Sequence, residues 1–135
     1  MKPYVFRYLP KEKIELFEKI EKTIVSMPDI DLGKDEDGEE IILSCHILAR
    51  AVAKIFSLKF VDGYFHPDHP HSWLLTPNGN IIDVYPVLIL GGPLFIHSSH
   101  SSPMRWLYKK EKISDGLFSK PSLRRSVRRV IKVLR

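Results

Sequence analysis

The chain has 135 residues, 44% of them hydrophobic and 27% charged, and a formal net charge of +5. That size and apolar share suffice for a single domain, residues 1–135, with its own core, and the lone cysteine, Cys45, excludes an internal disulfide. No apolar run approaches the roughly 18 residues of a membrane span and the N-terminus has no signal-peptide h-region, so a cytoplasmic protein with no membrane span is expected.

In chain order, Pro10 is followed by Ile14, Phe17, Ile20 and Ile24 at helical spacing among Lys and Glu, which predicts an amphipathic helix over one side of the core. Residues 28–40 then hold seven acids against Lys34, with two glycines, and read as a solvated loop overhanging the Cys45 end. An EF-hand alignment fails there. With Gly38 as the turn glycine, Gly33 falls at the first ligand position and Ser44 where a bidentate glutamate is required, so calcium is discarded.

Ser44 is a good N-cap and opens a predicted helix from Cys45 to Phe56, with Leu48, Val52 and Ile55 on one face. Cys45 thus sits in a first helical turn, where the positive end of the helix stabilises a thiolate and the unpaired backbone N–H groups are available to an oxyanion.

Two strands follow, residues 59–65 and 71–75, separated by a His/Pro-rich turn. Pro77-Asn78-Gly79 marks a tight reversal into Asn80-Ile81-Ile82-Asp83-Val84 and brings Asp83 back towards His71. Pairing around Asn78-Gly79 sets residues whose numbers total about 157 opposite one another, a register that needs a residue or two of loop adjustment before His71 meets Asp83.

The apolar run 87–90, broken by Gly91-Gly92-Pro93, reads as a buried strand followed by another short one, and residues 98–103 as a polar loop at the rim of a cleft. Residues 103–135 carry eleven Lys or Arg against Glu111 and Asp115, which leaves residues 1–102 with a net charge of −4. Within that tail Leu123, Val127, Val130, Ile131 and Leu134 recur at helical spacing, predicting a basic amphipathic helix that docks on its own domain or meets an anionic partner.

The ordered trio Cys45, His71 and Asp83 supplies three roles: a sulfur that attacks a carbonyl, an imidazole that takes and returns its proton, and a carboxylate that fixes the imidazole's tautomer. Cys at a helix start, a strand beginning His71-Ser72-Trp73, a turn and then Ile81-Ile82-Asp83 resemble the transglutaminase-like branch of the papain-like cysteine enzymes over roughly the middle third of the chain. Leu43, two residues before the nucleophile, and His46, just after it, depart from the family's common pattern. The resemblance implies an α+β fold in which the nucleophile helix packs on a small antiparallel sheet, with Cys45, His71 and Asp83 as catalytic triad. It also implies cysteine-dependent hydrolysis or acyl transfer on an amide or ester of a peptide, protein or small molecule.

The expected architecture is two helices, three to five strands and a last helix, with no cofactor and no metal. Trp73, on the face of His71, is the candidate substrate-binding wall, and the Cys45 backbone N–H the oxyanion donor. His46 projects about 100° from Cys45 around the helix, so it is expected to be supporting or exposed rather than a base. Two other readings stand beside the enzyme: a metal centre in which His66, His69 and His71 join Cys45, and a non-catalytic binding module of the same fold.

Overall fold

The computed structural model describes residues 11–25, 32–34, 38, 40–41, 43–84, 93–96, 107–112 and 121–135, with side chains from residue 15 in the first helix and from residue 123 in the last. The fold is α+β. Among the described residues there are three helices, α1 (Lys11–Ile24), α2 (Cys45–Phe56) and α3 (Pro121–Leu134). The five strands are β1 (Lys59–Phe65), β2 (His69–Leu75), β3 (Ile81–Asp83), β4 (Leu94–Ile96) and β5 (Tyr108–Lys110). They form one antiparallel sheet in the order β4-β3-β2-β1-β5.

The helices form where the apolar spacing predicts them. Phe17, Ile20 and Ile24 of α1 are fully buried, while the side chain of Ile14 lies outside the described residues. Helix α2 is capped by Ser44, whose Oγ accepts from the Ile47 N–H at 3.3 Å, and it ends where Ser57 takes a left-handed conformation with φ of 55°. It is buried on more than the expected face, because Cys45, Ile47, Ala49, Ala51 and Ala53 are enclosed along with Leu48 and Val52.

One face of the sheet gives Leu74, Ile82 and Phe95 to a core shared with all three helices through Phe17, Leu48, Val52 and Val130. The Phe17 ring meets Phe95 edge-on, with centroids 6.0 Å apart. Each such side chain contributes roughly 1.5–3 kcal/mol when taken fully out of water. The other face holds a smaller cluster of Trp73, Ile81, Ile96 and Tyr108.

Strand β2 begins at His69, two residues before the expected start. The β2–β3 turn is one residue longer than a two-residue Asn78-Gly79 loop. Gly79 N–H donates to Thr76 O and Thr76 N–H to Asn80 O, both at 2.9 Å, and Gly79 has φ of 80°, so Pro77-Asn78-Gly79 forms a three-residue hairpin loop. The register is therefore Leu74 with Ile82 and Leu75 with Ile81.

That single residue decides the site. Since side chains alternate, the two-residue loop would send Asp83 to the face opposite His71, whereas the observed register sets it across from Trp73 and diagonal to His71 on the same face.

The acidic segment is not wholly solvated. Leu32 is buried, and the backbones of Lys34 and Glu40 pair in an isolated antiparallel β-bridge. The apolar run 87–90, the polar loop 98–103 and acids 29, 31, 35–37 and 39 lie outside the described residues. The basic tail also yields β5, a strand the sequence reading did not anticipate, which pairs with β1. Helix α3 docks on the core through fully buried Val130, and Arg124, Arg128, Arg129, Lys132 and Arg135 remain exposed.

Candidate active site

The first turn of α2 lies against the middle of β2, where His71 and Ser72 follow one another. Cys45, His71 and Asp83 come together there and are all buried. His71 Nε2 lies 2.8 Å from Asp83 Oδ2, which leaves Nδ1 as the ring nitrogen for the Cys45 thiol, to which the imidazole is also hydrogen-bonded.

The charges follow from these contacts. Burial alone would push the Cys45 thiol up, but hydrogen bonds to His46 and His71 override it and lower the thiol from 9.0 to about 6. Burial alone would likewise lower His71, yet the Asp83 hydrogen bond and the sulfur raise it from 6.5 to about 9. Between about pH 6 and about pH 9 the site therefore holds a thiolate beside an imidazolium.

Sequence reasoning missed the residue that holds Asp83. Tyr108 of β5 donates its hydroxyl proton to Asp83 Oδ2 at 2.7 Å, so one carboxylate oxygen serves both phenol and imidazole. Phe65, Trp73 and Tyr108 surround the His71 ring, with centroids 6.0 to 6.1 Å from it. Trp73 itself is 3% exposed and packs edge-on against Tyr108 at 5.3 Å. Gly63, across from His71, leaves space for this packing, because a Cβ there would lie 2.7 Å from the Trp73 ring and would collide with the Lys109 carbonyl.

Comparison with protein-family models, with curated proteins and with solved structures finds no match to this chain.

His46 takes a supporting place beside the sulfur, nearer to it than its position on the helix predicts. Its ring is half-buried, its Nδ1 lies 2.7 Å from Ser72 Oγ, and it also hydrogen-bonds the Cys45 thiol, so the helical offset does not turn it away from the sulfur. Ser72 donates to Asp62 Oδ1 at 2.6 Å, and Arg50 clasps Asp62 with two bonds of 3.0 and 2.7 Å. The clue in the sequence was the i, i+4 spacing of His46 and Arg50, which stacks both over β1 and β2.

His66 and His69 are exposed at the end of the β1–β2 hairpin, and among the described residues no three His, Cys, Asp or Glu side chains converge as a metal-holding group. No described helix is long and apolar enough to cross a membrane.

Proposed function

We propose that this chain is a cysteine-dependent hydrolase or acyltransferase acting on an amide or ester bond, in a transglutaminase-like, papain-related fold. The observation that carries the reading is the hydrogen-bonded series from Cys45 through His71 to Asp83, closed by Tyr108 and buried among aromatic rings.

In the proposed reaction the Cys45 thiolate attacks the substrate carbonyl carbon, and the first N–H groups of α2, Cys45 foremost, receive the oxyanion. Collapse breaks the bond to the leaving amine or alcohol, which takes the proton from His71, and the acyl group remains on sulfur. Water or a second nucleophile then accepts the acyl group and the electron pair returns to sulfur. Asp83 keeps the His71 ring oriented throughout, and Trp73 walls off that hydrogen bond from water.

The test is mass spectrometry of the chain after exposure to an activated ester such as p-nitrophenyl acetate. A transient acetyl group on Cys45 that is absent in Cys45→Ala supports the reading. Ester turnover unchanged in Cys45→Ala contradicts it.

We also propose an acidic protein segment as an anionic partner of α3. Arg124 and Arg128, with Arg50 and Lys54 of α2, line a groove of about 470 Å³ floored by Phe60 and Val127 among other apolar side chains. A glutamate-rich peptide should bind at low salt and dissociate as salt is added. Binding unchanged in Arg124→Glu/Arg128→Glu contradicts this proposal.

A further inference from the structure

The two elements that carry the proposed reaction are joined by residues that take no part in its bond changes. Cys45 begins α2 and His71 lies in β2, and the residues that follow each of them meet: His46 Nδ1 lies 2.7 Å from Ser72 Oγ. One peptide unit therefore separates this contact from the nucleophile on one side and from the imidazole on the other. Ser72 is fully buried, and its hydroxyl donates to Asp62 Oδ1 of β1 at 2.6 Å.

Asp62 is held in turn from α2. Arg50, one turn beyond His46, donates to its two carboxylate oxygens at 3.0 and 2.7 Å, to the His46 carbonyl at 3.3 Å and to Ser72 Oγ at 3.5 Å. The guanidinium also lies over the Phe60 ring, 4.3 Å from its centroid, and Phe60 and Asp62 share one face of β1. The bonds thus start and end on α2 and pass through β1 and β2. The Arg50 and Asp62 side chains are only 12% and 22% exposed, so their attraction is set against lost hydration and adds little net stability, whereas the directions of their bonds admit one arrangement.

Resting on the reading of Cys45 as nucleophile and His71 as its partner, we infer that Arg50, Asp62 and Ser72 are positioning residues that set the first turn of α2 against β2, and with it the separation of sulfur and imidazole. That separation governs the site. Attraction within a thiolate–imidazolium pair falls with distance and the hydrogen bond between its members falls faster, so a slack tie leaves the thiolate less favoured.

The test is a thiolate titration of the full chain by ultraviolet absorbance, with Cys45→Ser as blank, beside a denaturant unfolding curve for each variant. The titratable groups acting on Cys45 are His46 of its own helix and His71 of β2, with Asp83 of β3 behind His71, and all three are kept. The unsubstituted protein should titrate at about pH 6. Ser72→Ala changes no charge and should raise that midpoint by about half a unit, a roughly threefold fall in the ratio of thiolate to thiol.

Asp62→Asn separates positioning from charge. Removing a negative charge favours a thiolate, so charge alone lowers the midpoint, whereas an amide nitrogen facing an Arg50 donor breaks the clasp and raises it. A rise of about one unit, tenfold in the same ratio, is expected. Ser72→Ala removes a single oxygen and asks the question even where Asp62→Asn does not fold. Ile20→Val weakens the core at a fully buried position of α1 outside the tie, and should ease unfolding while the thiol still titrates at about pH 6.

A low midpoint that neither Ser72→Ala nor Asp62→Asn raises, or a rise that Ile20→Val reproduces, overturns the inference and leaves the Cys45–His71 reading standing. A midpoint near the free-thiol value of about 8.5 in the unsubstituted protein overturns both.

Discussion

The two faces of the sheet use the same strands for different ends. The helix-side face contributes Leu74, Ile82 and Phe95 to an apolar core with α1, α2 and α3, and its energy comes from area removed from water. The other face sets His71 and Asp83 among Trp73, Phe65 and Tyr108, and spends burial on holding two polar groups in one arrangement. Neighbouring residues of one strand, Leu74 and Trp73, serve opposite faces. Stability and chemistry are therefore separable here, so substitutions on one face should leave the other's property largely intact.

The largest effect on stability is expected on the helix side. Leu74→Ala removes a fully buried side chain and should cost about 2–5 kcal/mol in chemical denaturation, while the remaining folded molecules keep a low Cys45 midpoint. A variant that stays stable yet loses the low midpoint would show that the two faces are not separable.

Gly63→Ala tests where the faces depend on one another. Its Cβ would run into the Trp73 ring and the Lys109 carbonyl, so β5 has to move and Tyr108 with it. A loss of roughly 1–3 kcal/mol with a change in Trp73 fluorescence is expected, and an unperturbed spectrum would contradict this packing.

On the other face, Asp83→Asn removes the main influence that raises His71. Burial then dominates and the imidazole loses its proton at lower pH, so the Cys45 midpoint should climb by about one unit or more, measured by thiolate absorbance. Tyr108→Phe deletes one of two bonds to the same carboxylate oxygen and should cost about 1–2 kcal/mol in chemical denaturation.

The smallest effect concerns neither face. Ser57 closes α2 with φ of 55°, a conformation glycine adopts without strain, so Ser57→Gly should stabilise by roughly 0.5–1 kcal/mol in thermal melts and leave the thiol unchanged.

The helix-side face was largely legible in the sequence. The spacing of Phe17, Ile20 and Ile24, and of Leu48 and Val52, is a local signal, and the Ser44 cap and the turn glycine are local too. Cys45 at a helix start and a hairpin joining His71 to Asp83 came from the same kind of information.

What escaped depends on distance or parity. Tyr108 lies 25 residues beyond Asp83 in a stretch whose basic charge masked a three-residue strand, and nothing local ties that phenol to that carboxylate. The pairing of Asp83 with His71 turned on one loop residue, because a strand changes face at every step. His46 was set aside on helix geometry, which fixes where a Cα–Cβ bond points and not where a ring ends once Ser72 holds its far nitrogen.

The most direct test of the central claim is the rate of Cys45 alkylation by iodoacetamide across pH, in the unsubstituted protein and in His71→Ala. Cys45 is the chain's one thiol, so the signal has a single source. A thiolate–imidazolium pair predicts fast alkylation that persists down to about pH 6 and whose low-pH arm weakens in His71→Ala. Alkylation that rises only near the free-thiol value of about 8.5, or that is identical in the two proteins, would contradict it.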